Sequence, residues 1–284
     1  MTDFKEKVAR GVFAIAAALS VVAVALVCVF LFAGGMPGML KLGVWKFLSG
    51  TQWKPSAEIF GILPMILGSI YVTAGALILG VPAGLLTAVY LSRFAPPAVQ
   101  KILRPAVALL AGIPSVVYGF WGLTTIVPMI RSMFGGSGSS LLAAAILLGI
   151  MILPTITTVS EAALNAVPAS YYEGALALGA THERAVFSII LRAARSGVIA
   201  AIILGVGRAI GEAMAVMMVA GNRAVIPNSL IKGVRTLTSN IVMEMGYATD
   251  IHREALIATG VVLFVFVLII NLAFSFTQRK AVRG

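Results

Sequence analysis

The sequence predicts an all-α integral membrane protein built on six transmembrane helices. Hydrophobic residues make up 60% of its 284 residues and charged residues only 11%, whereas a soluble domain carries about a quarter charged residues. Several apolar runs exceed ~18 residues, the length needed to span a bilayer. The net charge of +11 comes from Lys and Arg between and beside these runs, where such residues set topology and contact lipid headgroups.

The first span follows directly on a basic N-terminus. Lys5, Lys7 and Arg10 precede an unbroken apolar run from Gly11 to Ala33. This run is too long for the core of a signal peptide, so we interpret it as an uncleaved membrane helix. It contains the chain's single cysteine, which excludes an internal disulfide. The apolar runs predict five further spans: Leu63–Leu91, Pro105–Ile130, Leu141–Ser160, Gly197–Ala220 and Ala255–Phe276.

The distribution of Lys and Arg indicates the orientation of these spans. With the N-terminus inside, twelve basic residues lie in cytoplasmic segments and eight in external ones, which follows the positive-inside rule. An even number of spans then places both termini in the cytoplasm. Three regions result: a tail, first span and external loop at 1–60, a five-helix core at 61–277, and a cytoplasmic tail at 278–284.

Prolines interrupt the second, third and fourth predicted spans. A proline inside a membrane helix kinks it and frees backbone carbonyls, which then need partners in the protein interior. Two interpretations stay open: ordinary packing of kinked helices, or a pathway lined by broken helices. The prolines concerned are Pro64, Pro82, Pro114, Pro128 and Pro154.

The cytoplasmic loop 161–196, between the fourth and fifth spans, is predicted to form two short helices. Its pattern indicates a helix that stops at Gly179, a turn capped by Thr181, and a second helix. Two such helices form a compact protrusion that can dock in a groove on a partner and transmit a rigid-body displacement. The alternative is a surface helix-turn-helix with no special role.

Arg208 and Glu212 are two charges inside the predicted fifth span. Inserting such a charge at mid-membrane costs about 2.5–3.5 kcal/mol of free energy, so these two residues mark a candidate site. Their i, i+4 spacing predicts that both side chains lie on one helix face and can pair. One interpretation is an interior salt bridge between helices that approach closely at the Gly207-x3-Gly211 motif. The other, compatible with it, is that Arg208 offers a planar fork to a tetrahedral oxyanion while Glu212 holds it.

Four further residues are candidates for this site. Ser115 and Tyr118 follow Pro114 in the third span and offer hydroxyls, and Asn222 and Arg223 follow the fifth span at its outer mouth. Three of them also have a simpler interpretation. It is helix capping for Ser115, a membrane-interface anchor for Tyr118, and a topology signal for Arg223.

The sequence does not indicate that this chain performs chemistry itself. It contains no Gly-x4-Gly-Lys-Ser/Thr, the phosphate cradle of ATP-hydrolysing proteins, so the energy must come from a partner. No Ser/His, paired-Asp or metal-ligand constellation lies within the spans, which argues against an intramembrane enzyme. His182 and His252 are far apart, and we assign neither to a metal. A secondary transporter is disfavoured because Glu212 is the only carboxylate well inside a span and no inverted repeat is visible.

The cytoplasmic loop also resembles the EAA motif of ABC-importer permeases, in which a Glu is followed by small residues, a Gly six positions on, and Ile-x-Leu-Pro. The matching positions are Glu173, Ala175, Gly179, Ile189 and Leu191, with Arg192 in place of the proline. Together with four other segments, over about residues 50–276, the chain closely resembles the C-type permease subunits of phosphate-specific ABC importers. These segments are Phe60–Pro64, Gly112–Gly119, Met151–Thr157 and Gly207–Glu212.

This resemblance implies a type I ABC importer permease fold with cytoplasmic coupling helices, in the plasma (inner) membrane. It implies inward transport of inorganic phosphate by alternating access. Another oxyanion such as sulfate or molybdate is the alternative, because a guanidinium does not choose among tetrahedral anions. By the same resemblance, Arg208 and Glu212 are needed for phosphate passage.

The resemblance also implies the partners of the chain. They are a second, A-type permease, two copies of a cytoplasmic ATPase on which the EAA residues dock, and an external phosphate-binding protein. No cofactor is expected on this chain, since ATP and Mg²⁺ would bind to the ATPase.

Overall fold

The computed structural model describes the backbone of residues 2–283 and the side chains of residue 6 and residues 8–273. Lys5, Lys7 and the side chains of the predicted 278–284 tail lie outside the described side chains. The described strands, β1 (Trp53–Lys54) and β2 (Ile59–Phe60), form an antiparallel hairpin. The α-helices are α1 Thr2–Leu42, α2 Val44–Ser49, α3 Leu63–Val89, α4 Pro97–Gly112, α5 Ser115–Trp121, α6 Val127–Phe134, α7 Leu141–Asn165, α8 Ala169–Ala177, α9 His182–Ala185, α10 Leu191–Ala193, α11 Arg195–Gly211, α12 Met214–Val219, α13 Leu237–Glu244 and α14 Asp250–Arg283.

Up to six of these units can cross a membrane, which confirms the predicted six-span, all-α fold. Four are continuous and apolar: Val8–Leu42, Leu63–Phe94, Leu141–Asn165 and Asp250–Ala273. Two are bent pairs. α4 meets the α5–α6 segment at 96°, and the α9–α10 segment meets α11 at 70°. π-helical turns at Tyr90–Phe94, Gly122–Ile126 and Val186–Ile190 join consecutive helices.

The predicted third span is not one helix. α4 ends at Gly112, the backbones of Ile113 and Pro114 are extended, and α5 begins at Ser115. The break has a local cause, because proline lacks an N–H and its ring pushes the preceding residue out of the helical region. α4 therefore lies across the direction of α5 and does not continue it.

Of the five prolines singled out in the sequence, Pro114 is the one that coincides with a helix break. Pro82 and Pro154 lie inside the continuous helices α3 and α7. Pro64 lies in the first turn of α3, where the missing N–H would be unpaired in any case. Pro128 lies at the start of α6, directly after the π-helical turn Gly122–Ile126.

The pair α3 and α7 forms the centre of the fold. Gly80 lets the two helices approach so closely that an added Cβ there would lie 2.7 Å from Ile152 and 2.8 Å from the Gly149 carbonyl oxygen. Thr157 of α7 donates a hydrogen bond to the carbonyl of Gly84 at 3.2 Å. This pair is the wall against which α11 packs.

The N-terminal helix α1 packs along α14. An added Cβ at Gly35 would lie 2.7 Å from Val261, and the rings of Phe32 and Phe264 meet edge to face at 5.9 Å. Much of the rest of α1 is uncovered: Phe13 is 73% exposed and Phe30 is 70% exposed. Such an apolar exterior is the surface that hydrocarbon solvates in a membrane.

Irregular layers close the two ends of the bundle. We call one of them the outer layer, after the side on which the sequence predicts its loops. It consists of α2, the hairpin and the segment 220–249, which includes α13. It packs on α14 through a buried apolar cluster that includes Phe47, Trp53, Phe60 and Leu256. The opposite layer consists of α8 to α10 and the end of α3. There Arg93 donates to the carbonyl of Leu164 at 2.6 Å, which ties α3 to α7.

Candidate functional site

The predicted fifth span is broken beside its two charges. α11 ends at Gly211, Glu212 has an extended backbone with ψ of 124°, and α12 begins at Met214. The expectation of one helix over Gly197–Ala220 is therefore wrong. Broken membrane helices leave backbone groups unpaired, and they occur where protein or a water-filled cavity surrounds them.

Arg208 and Glu212 do not pair. The Arg208 guanidinium donates from Nη1 to Thr155 Oγ1 at 3.1 Å, whereas Glu212 Oε1 accepts the N–H of Ala215 at 3.0 Å. The predicted i, i+4 pair is wrong, because each side chain has another partner: Thr155 of α7 for Arg208 and the backbone of α12 for Glu212. Glu212 instead caps the first turn of α12, where a negative charge is favourable.

Arg208 keeps most of its donors available. Among the side chains that the structure describes, no carboxylate lies within ion-pair distance of its guanidinium. A guanidinium carries five N–H donors, and the bond to Thr155 uses one of them. The half-buried Arg208 is also close enough to interact electrostatically with the hydroxyl of Tyr118. It is a permanent positive charge that forms no ion pair with a described carboxylate.

The Gly207-x3-Gly211 motif does not pack against another described element of this chain, so close packing of two helices of this chain at the motif is not found. An added Cβ at Gly207 or Gly211 would meet no heavy atom within 4 Å, whereas one at Gly205 would lie 3.0 Å from Ile156. Residues three and four apart share a helix face. Gly207, Gly211 and Arg208 therefore lie on an uncovered side of α11.

The second halves of the two broken spans pack on each other. An added Cβ at Gly119 of α5 would lie 2.7 Å from Met218 Sδ and 3.0 Å from the Cα of Ala215 in α12. Gly119 thus allows backbone-to-backbone contact between α5 and α12. The break at Pro114 and the break at Glu212 therefore belong to one structural unit.

Tyr118 closes the bend between α4 and α5. Its side chain is buried, and its hydroxyl donates to the carbonyl of Leu110 at 2.9 Å. The interpretation of Tyr118 as a membrane-interface anchor does not fit that burial. Ser115 is the half-buried first residue of α5, but Pro114 holds the N-cap position and no side chain caps this helix.

Asn222 terminates the second half of the fifth span. Its backbone has φ of +51°, and its Nδ2 donates to the carbonyl of Met217 at 2.7 Å. Its Oδ1 is buried with no hydrogen-bond partner in the described part of the chain, which leaves an open acceptor. Arg223 is exposed, and its aliphatic stem lies beside Gly233.

The sequence reasoning missed a buried charged cluster in the outer layer. The Glu244 side chain is 7% exposed and lies 2.7 Å from Arg235 and 2.8 Å from His252. Trp53 Nε1 also donates to Glu244 at 2.8 Å. Trp53 lies 191 positions from Glu244, whereas Arg235 and His252 lie 9 and 8 positions from it, on either side and not at the spacing of one helix face. The available signal was a tryptophan and several mixed charges in loops expected to be external.

The helix-turn-helix predicted for the loop 161–196 is confirmed as local structure. α8 ends at Ala177, Gly179 has φ of +82°, and the Thr181 hydroxyl accepts the N–H of Arg184 at 3.3 Å. The positive φ favours glycine. Glu183 lies at the start of α9. Its carboxylate accepts hydrogen bonds from the backbone N–H of Glu183 itself and from the Thr181 side chain, and these bonds lower the pKa of Glu183.

This loop presents an apolar surface. Leu178 is 91% exposed, and Tyr171 and Phe187 are also exposed. Of the EAA-like residues, Glu173 and Ile189 are exposed, Leu191 is half-buried and Ala175 is buried. Several exposed apolar side chains on one loop outside the apolar spans are the kind of feature that marks an interaction site.

The underside of the loop is fixed to the bundle through His182. Its Nδ1 lies 2.8 Å from the hydroxyl of Tyr172, and its ring meets that of Phe94 edge to face at 4.7 Å. Phe94 belongs to the turn that ends α3. The His182–Phe94 contact therefore joins the loop to the end of a membrane span. Within the described residues, no group of three or more His, Cys, Asp or Glu could hold a metal ion.

Comparison with known proteins adds sequence relatives. The model of the family described as "binding-protein-dependent transport system inner membrane component" matches residues 80–283. The probable ABC transporter permease protein YqgH of Bacillus subtilis is 39% identical over 282 residues, covering 95% of this chain and 91% of that protein. The phosphate transport system permease protein PstC of Mesorhizobium japonicum is 35% identical, covering 90% of this chain and 84% of that protein.

Solved structures share the fold. A chain of a bacterial ABC transporter involved in the import of the acidic polysaccharide alginate superposes with a TM-score of 0.64 at 14% identity, covering 94% of this chain and 95% of that chain. A chain of the inward-facing methionine transporter MetNI superposes with a TM-score of 0.58 at 21% identity, covering 78% of this chain and 94% of that chain. At these identities the likeness concerns the fold alone. The type I importer architecture expected from the sequence is therefore confirmed.

Proposed function

The chain belongs to the family of binding-protein-dependent transport system inner membrane components, and from that premise we propose that it is the permease subunit of an ATP-driven importer of inorganic phosphate. Relatives named as phosphate transport permeases align with most of its length. The chain is a multi-pass membrane protein and a transport component rather than an enzyme.

The observation that carries the proposal is the position of Arg208. Its guanidinium has one hydroxyl partner, no described carboxylate partner, and an uncovered helix side. A desolvated guanidinium binds phosphate oxygens through paired, charge-assisted hydrogen bonds. Glu212 does not neutralise this charge. It fixes the start of α12 and so the shape of the break next to Arg208.

The anion path runs beside the broken spans in this proposal. The polar groups near the break come from Arg208, Tyr118 and Glu212, and the open Oδ1 of Asn222 lies at the end of α12. Ser115 and Arg223 extend the path toward either side. The uncovered side of α11 faces the second, A-type permease, so the path forms between the two subunits.

The exposed apolar loop is the proposed contact with the motor. Leu178 and the EAA-like residues Glu173, Ala175, Gly179, Ile189 and Leu191 dock on a cytoplasmic ATPase, of which the complex holds two copies. His182 and Phe94 connect that contact to α3. ATP and Mg²⁺ bind to the ATPase, and this chain has no cofactor of its own. Both termini lie in the cytoplasm and the outer layer faces the external phosphate-binding protein.

The proposal is tested with the assembled transporter. Affinity purification of this chain should recover a second permease and an ATPase. In proteoliposomes with ATP on the ATPase side and the binding protein on the other, labelled phosphate should accumulate. Excess unlabelled phosphate should suppress that uptake, and sulfate or molybdate should not. Uptake suppressed by sulfate but not by phosphate would contradict the proposed substrate, and accumulation by this chain alone would contradict the need for a motor.

A further inference from the structure

A buried carboxylate in the outer layer joins three separate segments of the chain. Glu244 Oε1 lies 2.7 Å from Arg235 Nη1, and Oε2 lies 2.8 Å from both Trp53 Nε1 and His252 Nε2. Trp53 belongs to β1, Arg235 precedes α13, and His252 begins α14. The His252 ring also stacks on Phe60 with centroids 5.7 Å apart. We call these contacts the Glu244 cluster.

Stability alone is a weak reason for such a cluster. The side chains of Glu244, Arg235 and His252 are 7%, 14% and 13% exposed, so the charges of Glu244 and Arg235 are largely desolvated. Replacing a buried ion pair by apolar residues is often neutral or stabilising, because desolvation offsets the attraction. A buried ion pair that also makes directed hydrogen bonds can instead specify one arrangement of the elements it joins.

The Arg235 guanidinium extends from this cluster to the broken span. Its Nε donates to the carbonyl of Asn222 at 3.0 Å, while Nη1 donates to Asn240 Oδ1 at 3.0 Å as well as to Glu244. Asn222 is the residue that caps the end of α12. One planar fork therefore holds both the buried carboxylate and the end of α12.

Residues on either side of Arg235 hold both ends of α12. Val234 N–H donates to the carbonyl of Ala220 at 2.8 Å, and Thr238 Oγ1 donates to the carbonyl of Glu212 at 2.9 Å. The segment 234–238 thus brackets α12 from its start to its end. The start is the break next to Arg208, and the bracket is fixed to the outer layer by the Glu244 cluster.

We infer that Arg235 and Glu244 are positioning residues for transport, which act on the anion path through Asn222 and Glu212. They touch no substrate. They hold α12 in one register against the outer layer, so that a movement of the outer layer shifts the break beside Arg208. This inference rests on the proposed function, because its readout is phosphate uptake.

Arg235→Lys in the complete transporter tests the inference. Lysine keeps a positive charge beside Glu244, but one ammonium group cannot reproduce the fork to Asn222, Asn240 and Glu244. The amount of assembled complex and its melting midpoint should stay close to wild type. Maximal phosphate uptake per assembled complex should fall about tenfold or more, as misplacement of a site by ~1 Å does, and half-saturation by loaded binding protein should be unchanged.

Lys41→Gln is the matched control. Lys41 of α1 forms an ion pair with Glu254 of α14 at 2.7 Å, and its side chain is 60% exposed. The described hydrogen bonds of this pair do not reach α12. Exposed pairs contribute little, so uptake per complex should not change. Glu244→Gln is a second test variant, which should reduce uptake per complex in the same way as Arg235→Lys.

The outcomes separate the two proposals. Absence of phosphate uptake in the wild-type complex would reject the proposed function. Normal wild-type uptake together with unchanged uptake per complex in Arg235→Lys would overturn the positioning role. A loss of assembled complex without any loss of uptake per complex would show that the Glu244 cluster is only structural. That result would also overturn the positioning role.

Discussion

Arg208 donates its described hydrogen bond to Thr155 Oγ1, at 3.1 Å, across the contact between α11 and α7. Thr155 follows Pro154 in a continuous helix of the central α3–α7 pair. The guanidinium is thus oriented by a hydroxyl on the rigid part of the fold. This arrangement positions the positive charge without neutralising it, which suits a group that must bind an anion and release it.

Thr155→Val should therefore impair transport more than it impairs folding. Valine has nearly the same shape but cannot accept from Arg208, and a hydrogen bond to a charged group contributes about 1.5–3 kcal/mol. We expect phosphate uptake per complex to fall about tenfold. Thr157→Val is the matched control, because Thr157 is buried two residues away and donates to Gly84, not to Arg208. Equal uptake in the two variants would contradict this role of Thr155.

Exchange of the two charges should not restore function. If Arg208 and Glu212 formed a salt bridge, the double variant Arg208→Glu with Glu212→Arg would preserve it. Because Glu212 caps α12 and Arg208 contacts Thr155, the exchange leaves neither role filled. We expect uptake in the double variant to be as low as in Arg208→Glu alone. Recovery of uptake in cells that carry the double variant would show that Arg208 and Glu212 act as an ion pair.

Glycine substitutions should distinguish the packed from the uncovered helix sides. Gly80→Ala places a methyl group 2.7 Å from Ile152, and such overpacking costs about 1–3 kcal/mol. Gly207→Ala meets no described atom within 4 Å. In detergent, the isolated subunit with Gly80→Ala should melt at a lower temperature, and Gly207→Ala should melt like wild type. The opposite order would show that the packing of α3, α7 and α11 differs from that described.

Leu178→Asp should uncouple the chain from its ATPase. Leu178 is 91% exposed at the tip of the cytoplasmic loop, so a charge there is tolerated by the fold but disrupts an apolar contact. We expect at least about a tenfold loss of co-purified ATPase. Val225→Asp is the control, since Val225 is an exposed apolar residue of the outer layer. Loss of ATPase in the control but not in Leu178→Asp would invert the proposed orientation.

Much of this fold follows from local sequence features. The apolar runs predict six spans, and Gly179 and Thr181 predict the turn of the cytoplasmic loop because positive φ and N-capping depend on single residue types. The break at Glu212 was not predictable from hydropathy, since one extended residue leaves the apolar pattern intact. The pairing expected from the i, i+4 spacing is replaced by contacts of Arg208 with Thr155 and of Glu212 with Ala215.

Long-range contacts were not accessible in the same way. The Glu244 cluster joins residues 191 positions apart, and a single sequence carries no signal for such a pairing. The EAA-like positions and the remaining path residues stay predictions, because their roles depend on subunits outside this chain.

The most direct measurement is phosphate uptake per assembled complex for Arg208→Gln and Arg208→Lys, in proteoliposomes supplied with ATP and loaded binding protein. Glutamine has neither charge nor fork, so uptake should fall by about tenfold to a hundredfold, the loss expected for charge-assisted hydrogen bonds. Lysine keeps the charge but not the fork, so its uptake should lie between glutamine and wild type. Wild-type uptake in Arg208→Gln, with the complex intact, would contradict the account.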